Sequence, residues 1–313
     1  MRIGLQLFAT RRHGRSVADV LSDAVALAAL ADELGFDVLW LAEHHNTDWN
    51  RCTDPLTLLA YLAAHTERIR LGTAVVNLVL HHPTAVAERA TLVDVLSGGR
   101  LELGIGRGFA SRDYQTFGVT AAAAPAVFRE NHARLTAELG ADPQGRTIPL
   151  WLATTGSPDT IDLAARNGHG LLVASSGQKL TDLLVRAQAQ GGAPRIAVTR
   201  AVHIGPSAAN AQQEAEPDLR WYVDTLAALE PGGNKPDLQH VIDTFCVLGD
   251  PDDCVEQIRR LAHGGITDFT AVFGIGGAPR HLVETALRQF AELVMPHLRS
   301  PSAGPTVARS EGR

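Results

Sequence analysis

A chain of 313 residues is long for one core but ordinary for a large barrel. Its composition, 45% hydrophobic and 20% charged with a net charge of −6, excludes the basic surface that non-specific nucleic-acid binding needs. No apolar run approaches the ~20 residues that span a bilayer. The three cysteines, Cys52, Cys246 and Cys254, form no C-x-x-C pair and indicate neither a disulfide framework nor a zinc site.

Apolar runs alternate with helical spacing along the chain. Residues 3–8 read as the first strand. The start lacks the longer apolar core and cleavage site of a signal peptide, so a cytoplasmic protein is the default expectation. Residues 17–34 have helical spacing and stop at Gly35. Residues 36–41 are the second strand, and 55–65 a helix with Asp54 as N-cap and Pro55 at its first position. Strands at 69–76 and 101–105 follow, each with a helix behind it, at 84–96 and 125–139. Strands at 148–153 and 170–174 pair with helices at 158–167 and 180–190. A strand at 196–204 precedes a long helical region at 208–229 and a helix at 251–263. The strand at 267–273 and the helix at 280–298 complete the pattern. Eight strands, each followed by helical sequence, predict a single-domain (β/α)8 TIM barrel over residues 1–299. A doubly wound open sheet is the alternative, but residues 9–16 lack its Gly-rich turn. The Pro-, Gly-, Ser- and Arg-rich residues 300–313 are expected to form a disordered tail.

Three stretches carry residues suited to chemistry. Glu43, His44 and His45 follow the second strand, where barrels build their sites. Imidazole exchanges its proton near neutral pH. Neighbours on extended chain face opposite sides, which disfavours one metal ion shared by both rings. The preferred reading puts one imidazole at the barrel mouth as acid, base or donor and the other in the supporting wall. In the second stretch, residues 97–108, Glu102, Gly104 and Gly106 share one parity, so another backbone or a flat ligand can come close. Arg107 then stands at the strand's carboxyl end, suited to a phosphate or carboxylate, or to a surface salt bridge with Asp113. The third stretch, residues 153–160, opens a helix. Thr155, Gly156, Ser157 and Thr160 offer an anion cradle there, or Ser157 is a simple N-cap. His81 and His82, before Pro83, either line the mouth or start a helix. Trp40 and Trp151 are read as core. His65, His132, His169, His240 and His297 show no pattern.

Together these stretches resemble the bacterial luciferase-like flavin-dependent monooxygenases. The match rests on GFDVLWLAEHH at 35–45, IRLGTA at 69–74, His82-Pro83, and LSGGRLELGIGRG at 96–108 followed by Phe117-Gly118. Shorter likenesses lie at 164–168, 247–251 and 294–298, so the resemblance runs from Met1 to about residue 298. It implies a barrel, usually dimeric, that binds reduced FMN at the carboxyl ends of its strands. It places His44 at the reactive face of the flavin as the catalytic residue. It gives Arg107, the turn 155–157 and Thr160 to the phosphate. Ala74 and Val75 would lie against the isoalloxazine ring, in the family often through a non-proline cis peptide. Glu43, His45 and His81 would belong to the substrate pocket. Asn46 departs from the family, many of whose members carry an aromatic residue there.

The expectation is therefore a monooxygenase that uses reduced FMN and oxygen on a small organic substrate. The chain has no nicotinamide fingerprint, so a separate flavin reductase would supply the reduced cofactor. Two alternatives keep the barrel: an F420-dependent oxidoreductase that transfers hydride without oxygen, and a flavin-binding protein without turnover. A metal-dependent hydrolase is a more distant reading. No membrane or nucleic-acid partner is expected.

Overall fold

Buried apolar strands alternating with capped helices organise a computed structural model that describes residues 1–140, 145, 147–191, 195–229 and 235–299. The tail expected at 300–313 lies outside the described residues. The order is β1 (Arg2–Leu7), α1 (Val17–Glu33), β2 (Val38–Leu41), α2 (Pro55–Ala63), β3 (Arg70–Thr73), β4 (Val76–Asn77), α3 (Pro83–Leu96) and β5 (Leu101–Gly106). Then come α4 (Ser111–Thr116), α5 (Ala124–Gly140), β6 (Leu150–Thr154), α6 (Pro158–Asn167), β7 (Gly170–Val173), α7 (Gly177–Ala189) and β8 (Ile196–Ile204). The chain continues through α8 (Ala208–Leu229), α9 (Leu238–Phe245), β9 (Cys246–Gly249), α10 (Pro251–His263), β10 (Asp268–Val272), α11 (Arg280–Leu293) and α12 (Met295–Arg299).

Local chemistry explains where the helices begin. The Ser16 side chain accepts the Asp19 N–H while Asp19 accepts the Ser16 N–H, a reciprocal cap that opens α1. Asp54 and Asp250 cap α2 and α10, each followed by proline at the first helical position. Gly168, at φ 67°, ends α6.

Every strand pair is parallel, and β10 bonds to both β1 and β8. That pairing closes the sheet into an eight-stranded barrel and removes the open-sheet alternative. No described helix is long and apolar enough to cross a membrane. Three features depart from the expected elements. The strand expected at 69–76 is two strands, separated at a cis peptide between Ala74 and Val75. The last helix divides at Val294 into α11 and α12. Finally, α4, α9 and β9 have no counterpart in the expected series; β9 pairs with the carboxyl half of β8, from Ala201 to Ile204.

Strand side chains alternate in direction. One parity of β5, Leu101, Leu103 and Ile105, packs outward into the core beneath the helices. The other, Glu102, Gly104 and Gly106, faces the barrel axis. At the amino end of the barrel an ionic layer crosses that axis. Glu102 accepts from Arg2 at 2.7 Å and Arg70 at 2.5 Å, and Asp268 pairs with Arg195. Trp40 and Trp151 fill the level above it, meeting edge to face at 5.5 Å with the Arg195 guanidinium 4.8 Å from the Trp151 ring. Two glycines make room for them. A β-carbon at Gly72 would overlap the Trp40 ring, and one at Gly170 the Trp151 ring. The lower barrel is therefore solid, and open space begins only above the tryptophans.

Overpacking of this level should be costly. Gly72→Ala is expected to lower the unfolding free energy by about 1–3 kcal/mol, read from urea midpoints. Gly140→Ala, at a helical position with no atom near the added methyl, should stay near neutral. Equal midpoints for the two variants would refute the tight fit.

Candidate active site

Directly above the tryptophans, at the carboxyl ends of the strands, lies a cavity of about 770 Å³. That is within the ~300–1,000 Å³ typical of small-molecule sites. Its floor is built from axis-facing residues such as Gln6, Thr199 and Thr270 above Trp40. Glu43, His44, Ala74, Val75, Arg107, Thr155, Ser157 and Thr160 all line it, although they come from four separate parts of the sequence. Gly156 lies in the same turn, and its N–H donates to Thr154 Oγ1 rather than facing the cavity.

His45 and His81, expected in the pocket, lie behind its wall instead. Both Nε2 atoms meet Glu43 Oε1, at 2.7 and 2.9 Å. The second carboxylate oxygen accepts the Asn77 N–H at 2.9 Å, and the Glu43 N–H donates to the Val75 carbonyl. Burial alone would raise the Glu43 pKa. The bonds from His45 and His81, the charge on His81 and the Asn77 N–H outweigh it and hold the carboxyl at about 2. Glu43 is thus a saturated, ionised anchor joining β2 to the segment after the cis peptide. His45 is pushed down by burial but pulled up further by Glu43, so its net shift is upward. Phe117 covers its ring at 4.7 Å.

His44 has the opposite environment. It is 9% exposed, its ring lies 4.3 Å from the Trp49 ring and 6.0 Å from Phe109, and neither ring nitrogen has a hydrogen-bond partner among the described residues. Burial pushes its pKa down to about 4, against the pull of Glu43. At neutral pH it is an uncharged imidazole in the cavity wall, with one donor and one acceptor. The departure noted at Asn46 leaves no gap, because Asn46 does not line the cavity and Trp49 supplies the ring beside His44.

The far wall is cationic. Arg107 is exposed and makes no ion pair among the described residues, so the alternative bridge to Asp113 does not form. Ser157 occupies the N-cap position of α6, yet its side chain makes no capping bond. The N-cap position and the proline after it are as expected, and with no capping bond made, Ser157 lines the cavity with Thr155 and Thr160. Arg129, which no sequence signal marked, and Arg166, within the likeness at 164–168 but given no role there, line the cavity too. Of the two carboxylates there, Asp162 is committed to Arg186 at 2.7 Å, which leaves Asp159 against three arginines. Net positive charge and an uncapped helix start suit an anion.

The glycines of β5 have two distinct uses. A β-carbon at Gly104 would strike the Thr73 carbonyl, so that glycine lets two backbones approach. One at Gly106 would come within 2.7 Å of Val75 Cγ2, so Gly106 and Val75 form one smooth section of cavity wall. Among the described residues no group of three His, Cys, Asp or Glu side chains is arranged to hold a metal ion. Away from the cavity, His132 and His169 form a buried pair with Nε2 atoms 3.1 Å apart. Burial lowers both pKa values, that of His169 to about 4, so the two neutral rings act as donor and acceptor to each other.

Residues 1–268 match the family model for luciferase-like monooxygenases, and the chain belongs to that family of oxidoreductases. A 4-hydroxyprotoasukamycin monooxygenase of Streptomyces nodosus subsp. asukaensis is 28% identical over 90% of this chain and 88% of its own. Limonene 1,2-monooxygenase of Rhodococcus erythropolis is 29% identical, over 85% and 78%. An uncharacterized protein of Sinorhizobium fredii is 34% identical, but the match spans only 54% of each chain. Among solved structures, the monooxygenase RslO1 of Streptomyces bottropensis superposes with a TM-score of 0.83 at 25% identity, covering 95% of this chain and all of that one. An FMN complex of a type II Baeyer–Villiger monooxygenase from Pseudomonas putida (TM-score 0.77, 19% identity, 95% and 98% covered) shares the fold. So does an F420-dependent tetrahydromethanopterin reductase from Methanopyrus kandleri (0.70, 19%, 95% and 99%).

The opposed shifts give a signed pH dependence. His44 has a folded pKa below its ordinary 6.5, so its contribution to stability is full above pH 6.5 and is lost as pH falls towards 4. Glu43 acts in the same direction between its ordinary 4.5 and about 2. His45, raised, contributes below pH 6.5 and loses that contribution as pH rises through its folded pKa. Wild-type stability should therefore fall more steeply than that of His44→Gln between pH 6.5 and 4 in urea titrations. Parallel curves would mean that His44 is not held neutral.

Proposed function

We propose that the chain is a flavin-dependent monooxygenase that takes reduced FMN from a separate reductase and uses oxygen to oxygenate a small organic substrate. The observation that carries this reading is one cavity with a neutral His44 in its wall and Arg107 beside an uncapped helix start, neither side chain having a polar partner among the described residues. The residues fit a flavin. Arg107, Thr155, Ser157 and Thr160 would hold the phosphate, and Gly106 with Ala74 and Val75 gives a side-chain-poor wall suited to a flat ring. When bound, reduced FMN supplies the electrons that activate oxygen.

The chain's own residues supply binding, dryness and proton control. Glu43 is spent on three donors and holds Asn77 and Val75 in place, so it is not the proton carrier. His44 is free to donate through one ring nitrogen and accept through the other at the reacting oxygen. Trp49 and Phe109 keep water from it. A homodimer belongs to the same proposal, and the exposed Tyr61 of α2 and Leu92, Val95 and Leu96 of α3 offer it an apolar face. The two sequence relatives named above that match most of this chain are monooxygenases, and this favours FMN and oxygen over F420. Titration with FMN and with F420, followed by turnover of a substrate panel with and without oxygen, tests the choice. Preference for F420 and oxygen-independent turnover would reverse it.

Two variants probe the roles. His44→Ala should leave FMN affinity within a few-fold and lower turnover by about 10²–10⁴, the usual worth of acid–base help; wild-type turnover would remove His44 from the chemistry. Arg107→Ala should weaken FMN by roughly tenfold or more while barely affecting riboflavin, which lacks the phosphate. Equal losses for the two ligands would rule out the phosphate role.

A further inference from the structure

The cavity has two ends of different character. Every charged residue lining it, namely Glu43, Arg107, Arg129, Asp159, Asp162 and Arg166, belongs to the ends of β2 and β5 or to α5 and α6. The opposite end is built by Phe8 after β1, Trp49 after β2, Tyr222 of α8, Phe245 of α9, and Val272 and Ile275 at and beyond the end of β10. None of these six residues is charged, although Glu43 leaves the same end of β2 as Trp49. Four of the six residues are aromatic and form a continuous series. Phe8 stacks on Trp49 at 5.2 Å, Trp49 meets Tyr222 at 5.7 Å, and Tyr222 stacks on Phe245 at 6.0 Å with 15° between the planes. The series reaches the proposed catalytic residue, since Trp49 also touches His44.

Two polar atoms interrupt this surface: the Trp49 indole N–H, buried with no hydrogen-bond partner among the described residues, and the Tyr222 hydroxyl. The Tyr222 hydroxyl has no hydrogen-bond partner among the described residues, and its ring lines the cavity. Burial pushes the phenol above its usual range, so at neutral pH the hydroxyl keeps its proton and can donate it. The residue is half-buried in the cavity wall, and a ligand oxygen placed against this hydroxyl gives it an acceptor inside the cavity.

We propose that this end is the substrate subsite and that it takes an uncharged, planar aromatic or fused-ring compound whose carbonyl or hydroxyl oxygen accepts the Tyr222 hydroxyl. The proposal rests on the flavin reading above, which assigns the charged end to the cofactor. A charged substrate would give up its hydration here with no counter-ion to replace it. A flexible chain would lose rotamer freedom and gain no stacking, whereas a rigid ring system loses little and stacks on Trp49 and Tyr222.

Calorimetric titration of four probes, with the chain alone and with FMN present, tests this. The probes are 2-acetylnaphthalene, 2-ethylnaphthalene, 2-naphthoate and decan-2-one. We expect 2-acetylnaphthalene to bind roughly tenfold or more tightly than 2-naphthoate and decan-2-one. Tyr222→Phe should weaken 2-acetylnaphthalene by roughly three- to tenfold and leave 2-ethylnaphthalene within about twofold. Trp49→Leu, or Phe245→Leu if the former does not fold, should weaken both neutral naphthalenes. The subsite is refuted if 2-naphthoate or decan-2-one binds as well as 2-acetylnaphthalene, if no probe binds, or if Tyr222→Phe weakens both neutral naphthalenes alike. A separate FMN titration keeps the two readings apart. Loss of the FMN signal with the probe pattern intact refutes the flavin reading alone, and FMN binding without the probe pattern refutes the subsite alone.

Discussion

The edge-to-face contact of Trp40 with Trp151 is the constraint on which the rest of the molecule depends. Most barrels fill their axis with layers of branched aliphatic side chains. Here two indoles span the axis, and Gly72 and Gly170 make the space they need. Beneath them the buried Glu102 and Asp268 are paired with the half-buried Arg2, Arg70 and Arg195, so neither carboxylate inside the barrel is isolated. Above them the side chains shrink to alanine, glycine and threonine, and the cavity opens.

A second constraint works at the rim. Glu43 binds two imidazoles and a backbone N–H, and its own N–H reaches the Val75 carbonyl. One buried carboxylate thereby links β2, the cis segment and the 3₁₀ turn Leu78–Leu80 that leads to His81. This explains why three adjacent residues with ionisable side chains have three fates. Glu43 is pinned and charged, His45 is shifted towards its charged form by contact with it, and His44, turned to the other side, stays neutral and uncommitted.

Much of this was legible from local pattern. The eight barrel strands stand out because a strand covered on both faces must be a continuous apolar run, and the helices because their caps are written in adjacent residues. The alternation of Glu102, Gly104 and Gly106 likewise marked the axis-facing side of β5. Partnership at long range was not legible. Nothing in the spacing of His45 and His81 says that they share one oxygen of Glu43, and His132 and His169 are 37 residues apart. Tyr222 lies on a helix whose spacing does not say what its buried face meets, and Phe245 on the short α9, which no spacing marked. Four-residue β9 was hidden because so short an apolar run before a capped helix has no period to read.

The two ends of the cavity also have separate origins along the chain. Its anion-binding wall is made by β5, α5 and α6, whereas its ring-lined wall draws on α8, α9 and the turn beyond β10. Substitutions within the late helices therefore change what is accepted while leaving the coenzyme grip untouched. A lineage built on this scaffold can diversify its chemistry's target one helix at a time, with no need to reinvent the engine that drives it.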